Sequence, residues 1–87
     1  MNKIYVGNLP YTTVEQNIEE MFESYGVIQD ITLIRDRETG RSKGFCFVTF
    51  EDPASAESAL QKNGEEMGGR ALRINFAREK EDTRGQR

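Results

Sequence analysis

Lys43-Gly44-Phe45-Cys46-Phe47-Val48-Thr49-Phe50 is the stretch on which the fold turns. Read as a β-strand, it sends successive side chains to opposite faces. Lys43, Phe45, Phe47 and Thr49 fall on one face, and Gly44, Cys46, Val48 and Phe50 on the other. The second set is apolar and grades from small to large, which suits a core. The first is basic and aromatic together, which suits a surface that meets a partner. Exposed Phe rings beside a Lys call for a partner with flat apolar faces and negative charge. Single-stranded nucleic acid has both.

The neighbouring segments repeat this division. Lys3-Ile4-Tyr5-Val6-Gly7 reads as a first strand rich in β-branched and aromatic residues. It puts Ile4 and Val6 on one face, Lys3 and Tyr5 on the other, and Gly7-Asn8-Leu9-Pro10 ends it with turn residues. A helix is predicted over 13–25. Thr13 and Gln16 form a capping-box pattern at its start, with Thr12 and Glu15 as the competitor one residue earlier. Val14, Ile18, Met21, Phe22 and Tyr25 make its apolar stripe, and Gly26 stops it. A second strand follows over 27–35. Ile28 packs at its entry, Ile31 and Leu33 take the core face, and Thr32 and Ile34 share the other.

A polar loop over 36–42 is locally positive, with Arg35, Arg37, Arg41 and Lys43 set against Asp36 and Glu38. After the opening strand, Asp52-Pro53 starts a second helix with an N-cap and a proline at the first helical position. Ala54, Ala56, Ala59 and Leu60 give that helix a narrow face for close packing, and Asn63-Gly64 ends it. A glycine-rich connection over 65–70, with the makings of a short hairpin, leads to a last strand over 71–77. There Leu72, Ile74 and Phe76 share one face, Arg73 and Asn75 the other.

The order strand, helix, strand, strand, helix, strand is the βαββαβ pattern of an α+β, ferredoxin-like fold. Right-handed crossovers put both helices on one face of a four-stranded antiparallel sheet. The other face is left open, with the first and third strands adjacent at its centre. Tyr5 is then close to Phe45 and Phe47. The expected domain covers 1–78. The charged segment 79–87 has no apolar residue and is expected to be disordered.

Composition narrows the function. At 87 residues the chain is one domain. One cysteine excludes a disulfide framework and a multi-cysteine metal site, and the lack of histidine removes the commonest general base and metal ligand. No cofactor and no metal is expected. Nothing resembles a signal peptide or a membrane span, so an intracellular protein is expected, cytoplasmic if bacterial and nuclear or cytoplasmic if eukaryotic, and a monomer is expected. A methionine just before the first strand fits a free-standing protein, while a single motif with a short charged tail fits a fragment of a longer chain equally well. The 12 basic and 15 acidic residues give a net charge of −3, which taken alone argues weakly against a nucleic-acid partner. Their distribution argues the other way. Glu15, Glu19, Glu20, Glu23, Glu51, Asp52 and Glu57 belong to the helical side, while Lys3, Lys43, Arg73 and the loop arginines belong to the open face or its rim.

The stretch 43–50 resembles the longer signature of the RNA recognition motif family, K/R-G-F/Y-G/A-F-V-x-F/Y, and departs from it only at Cys46. Ile4-Tyr5-Val6-Gly7-Asn8-Leu9 resembles the family's shorter signature at the required spacing, and Gly26, Asp36, Gly40 and Arg70 fall where its members carry such residues. The resemblance extends over about 2–78 and is nearest to small bacterial or glycine-rich members. It implies non-catalytic binding of single-stranded RNA on the open sheet face, with two or three bases stacked on aromatics. By that likeness Tyr5 and Phe47 are the stacking platforms, Phe45 meets the sugars and Lys43 a phosphate. Asn8, Arg73, Asn75 and the backbone at Ala77 and Arg78 supply hydrogen bonds to base edges. Lys3, Thr32 and Arg41 complete the candidate set.

Other functions on this topology fit less well. A peptide-binding relative would not need the aromatics, and an acylphosphatase-like hydrolase needs a basic residue in the loop after the first strand, where Gly7-Asn8-Leu9-Pro10-Tyr11 has none. Single-stranded DNA stays open, because stacking alone does not read the 2′-hydroxyl. Cys46 reads as core filler, since no base or cation is placed to activate it.

Overall fold

The computed structural model describes residues 2–77. Arg78 and the expected tail over 79–87 lie outside the described residues. Strand β3 (Ser42–Phe50) is paired on both edges. On one side it runs antiparallel to β1 (Lys3–Gly7), with Ile4 opposite Val48, Tyr5 opposite Phe47 and Val6 opposite Cys46. On the other it runs antiparallel to β2 (Ile28–Arg35), with Thr32 opposite Phe47. Two short segments, β4 (Glu66–Met67) and β5 (Arg70–Ala71), pair with each other, and β6 (Arg73–Phe76) pairs with the free edge of β1. The main sheet has the order β2-β3-β1-β6. The first and third strands are therefore the central pair, as the crossover rule requires.

Helix α1 (Glu15–Phe22) and helix α2 (Pro53–Ala59) cover the same face. Ile18 and Phe22 from α1 and Ala56 and Ala59 from α2 join Ile4, Val6, Cys46, Val48, Phe50 and Ile74 in one buried cluster. Burial alternates strictly along β3: Ser42, Gly44, Cys46, Val48 and Phe50 are buried and the residues between them are not.

The helix predicted over 13–25 is shorter and is capped differently. Its last turn, Glu23–Tyr25, tightens into a 3-10 turn. Thr13 is not the cap. Its N–H donates to the Pro10 carbonyl (3.1 Å), closing a turn that carries its side chain into the interior. Val14 takes the N-cap position, and Asn17 Oδ1 accepts its N–H at 2.9 Å. Val14 therefore stands outside the helix proper, and at 42% exposed it is not part of the buried stripe. Helix α2 starts as expected, with Asp52 accepting from the Ala54 N–H at 3.0 Å and Pro53 in the first turn, but its last turn, Leu60–Lys62, tightens into a 3-10 turn, and Ala54 is exposed, so Ala56, Ala59 and Leu60 carry the packed face without it.

Two irregularities in the β2–β3 ladder adjust the faces. Ile28 pairs with Phe50 and Asp30 with Thr49, so the extra residue lets Ile28 and Ile31 both pack on the core. Farther along, Leu33 pairs with Cys46 but Arg35 with Ser42, a bulge on β3 between Ser42 and Cys46. Gly44 has φ +102, a value that a side chain would oppose, and its N–H donates to Ser42 Oγ at 2.9 Å.

The last strand is shorter than the predicted 71–77. Leu72 bonds to the Gly64 and Glu65 backbone at 2.8 Å each, which draws it out of the main sheet and leaves Arg70 and Ala71 to the small hairpin. Leu72 and Ile74 are buried, whereas Phe76 is 37% exposed near the sheet edge.

Phe50 is fully buried and meets Phe22 edge to face, with ring centroids 6.4 Å apart. Phe50→Ala is expected to cost roughly 3–5 kcal/mol, a fall in melting temperature of more than about 12 °C. Thermal denaturation followed by circular dichroism checks this, and a melting temperature near that of the parent contradicts the face assignment.

Candidate nucleic-acid interface

The open face is built from alternate residues of four strands. In one cross-strand row, Thr32, Phe47, Tyr5 and Asn75 lie side by side. In the next, Phe45 lies beside Gly7, which is opposite Arg73. The three aromatics form a cluster. Tyr5 is 5.9 Å from Phe45 and 5.8 Å from Phe47, and the two Phe rings are 6.1 Å apart and nearly perpendicular. All three are half-buried and pack on one another in tilted and edge-on pairs. Lys3 Nζ lies 5.3 Å from the Phe47 centroid, a cation–π contact that keeps positive charge beside the aromatic cluster.

Gly7 holds Tyr5 in place by having no side chain. A Cβ built on Gly7 falls 2.7 Å from Tyr5 Cζ, so the ring lies over the glycine backbone.

The remaining predicted residues divide into two groups. Lys43 and Arg73 are exposed on or beside the face. Asn75 is exposed next to Tyr5, and Arg41 is exposed in the loop at the rim. Three others are tied to the protein itself. Asn8, at φ +62, donates to the Ala71 carbonyl at 2.7 Å and accepts from Arg70 at 3.2 Å, which engages both ends of its amide. The Ala77 N–H donates to the Lys3 carbonyl at 2.9 Å. Thr32 Oγ1 donates to Asp30 Oδ2 at 3.0 Å. Arg78 lies outside the described residues.

That last contact reveals an acid on the basic face. Asp30 shares the Thr32 side of β2, and counting back two from Thr32 would have found it. Arg35, in contrast, leaves the basic set. It forms an ion pair with Glu15 on the helical side and donates to the Gly40 carbonyl at 3.1 Å. The carboxyl of Glu15 is held below its ordinary value, chiefly by a backbone hydrogen bond in the first turn of α1 and further by Arg35, while slight burial opposes. The loop between β2 and β3 is closed by Asp36. Its carbonyl accepts from Gly40 at 2.8 Å, its N–H donates to Arg41 at 2.7 Å, and its carboxylate accepts the Glu38 N–H at 2.8 Å. Cys46 is buried, and burial pushes its thiol up to about 12, leaving it a protonated core residue. Among the described residues no cluster of acids, histidines or cysteines suits a metal ion, and no helix is long and apolar enough to cross a membrane.

The fold and the paired aromatic strands define a small α+β module with one sheet face left bare. The chain belongs to the RNA recognition motif family, whose model matches residues 4–73. It is 46% identical to "Glycine-rich RNA-binding protein 5, mitochondrial" of Arabidopsis thaliana over 91% of this chain and 27% of that protein. It is 45% identical to "Glycine-rich RNA-binding protein 1" of Mycosarcoma maydis over 86% of this chain and 43% of that one. The chain thus spans less than half the length of either relative. Among solved structures, it superposes on "Structure of Rna15 RRM with bound RNA (GU)" with a TM-score of 0.80 at 33% identity, covering 86% of this chain and 81% of that one.

Gly7→Ala is expected to displace the Tyr5 ring while changing the melting temperature little, because the atoms in its way are the far end of a side chain on the uncovered face of the sheet and not backbone. A crystal structure of the variant checks this. An unmoved ring over a shifted strand contradicts the close-approach account.

Proposed function

We propose that the chain binds single-stranded RNA across the open face of its sheet and does no chemistry on it. The observation that carries the proposal is the cluster of Tyr5, Phe45 and Phe47, with centroids 5.8–6.1 Å apart, half-buried where the helices leave the sheet uncovered. An 87-residue domain buries a modest share of its surface and gains less stability from three aromatics left half-exposed than from the same rings in its core. Bases stacked on Tyr5 and Phe47, with a sugar against Phe45, give those rings a use, at roughly 1–3 kcal/mol per base. Lys3, Lys43 and Arg73 neutralise phosphates along the strand. Asn75 and Arg73 are free to reach base edges, whereas the Asn8 amide first serves the protein. Family membership and the likeness to a structure described as RNA-bound support the same reading.

The acids on the helices and Asp30 on the face limit non-specific attraction. At about −0.7 per phosphate on single strands, three contacts give a slope near −2 for log K against log salt. Phe47→Ala is expected to weaken binding of a single-stranded RNA by roughly 1–3 kcal/mol in fluorescence anisotropy. Its melting temperature stays close to the parent's. Unchanged affinity refutes the platform, and a large loss of thermal stability shows that Phe47 serves the core instead.

A further inference from the structure

Tyr11 is 54% exposed although it is a large aromatic next to a rigid turn, and no role assigned so far uses it. Its backbone is fixed: its carbonyl accepts the Ser42 N–H at 3.2 Å, while the Leu9 N–H bonds to the Gly44 carbonyl at 2.8 Å. Its ring edge lies against the β3 bulge, where a Cβ on Gly44 would stand 3.6 Å from Tyr11 Cε1. The Arg70 guanidinium lies over the ring, 5.6 Å from its centroid. Arg70 is itself held by Asn8, whose left-handed backbone and twice-bonded amide form a bracket between the end of β1 and the hairpin. An exposed ring so anchored loses little entropy on binding.

Beside Tyr11 lies a shallow hollow of about 380 Å³. Tyr11 and Phe45 contribute its aromatic lining, and Arg41, Lys43, Thr39 and Asp36 its polar groups. Phe45 also belongs to the platform, so the hollow opens directly onto it.

We infer that this hollow is a further nucleotide subsite. It takes one base of a single-stranded RNA that runs off the platform past Phe45. The base stacks on Tyr11, and Arg41 and Lys43 hold the adjoining phosphate. Arg70 is not part of the hollow's lining and steadies the ring. The inference rests on the platform reading and extends the bound strand by one nucleotide. Aromatic stacking tolerates any base, so the subsite adds affinity and length dependence more than sequence choice.

The test is a length series by fluorescence anisotropy, with three- and eight-nucleotide oligouridines and the variants Tyr11→Ala, Tyr11→Phe and Phe47→Ala. Tyr11→Ala is expected to weaken the eight-mer roughly 5- to 100-fold and to leave the three-mer unchanged, while Tyr11→Phe restores the eight-mer. If Tyr11→Ala leaves the eight-mer unaffected while Phe47→Ala weakens it, the subsite is wrong and the platform stands. If Phe47→Ala has no effect either, the platform falls and the subsite with it. Crosslinking of the unaltered protein to eight-mers carrying 4-thiouridine at successive positions gives an answer independent of any variant's folding. A crosslink to Tyr11 from the position next to the one that reaches Phe45 supports the subsite. Its absence at every position overturns it.

Discussion

The two-residue period of β3, held fixed by hydrogen bonding on both edges, is the constraint from which the rest follows. Tyr5 stands opposite Phe47 on one side of the strand and Thr32 on the other. A slip of one residue would turn Phe45 and Phe47 into the helices and Cys46 and Val48 into solvent. The core prevents it, because Cys46, Val48 and Phe50 fit against α1 and α2 at full burial. Packing on one face thus fixes the aromatic geometry of the other, and the open face inherits the rigidity of the fold.

The same separation governs charge. A chain of net charge −3 is an unlikely-looking partner for a polyanion. Its acids, however, are concentrated on the helical side, where Glu15 also pairs with Arg35. Lys3, Lys43 and Arg73 remain on the sheet side. With a Debye length of about 8 Å at physiological salt, local charge outweighs the sum for groups held on opposite sides of a domain. Asp30 qualifies the division: its carboxylate, bonded to Thr32, puts a negative charge at the β2 side of the platform.

What the sequence made legible was local and periodic. β1 and β3 were readable because alternation is a two-residue signal, and the α2 start because Asp52-Pro53 caps a helix from within the sequence. The cap of α1 was not readable, because the turn from Pro10 to Thr13 carries the expected cap inward and Asn17 acts in its stead. The start of the last strand was missed for a similar reason. Leu72 is claimed by Gly64 and Glu65, and no periodicity in 71–77 announces that competition. In the site, Tyr5, Phe45 and Phe47 were brought together as the strand order required. Asn8 kept its position, but its amide is used within the protein. Tyr11 and Arg70 escaped notice as a pair because their contact spans the fold, from the turn after β1 to the hairpin before β6.

The most direct test of this account is a nuclear magnetic resonance titration of the isotopically labelled chain with a randomised single-stranded RNA pool. The account predicts that the largest shifts fall on Tyr5, Phe45, Phe47 and their neighbours on the open face, with α1 and α2 nearly silent. Shifts concentrated on the helices, with the three aromatics unmoved, would contradict it.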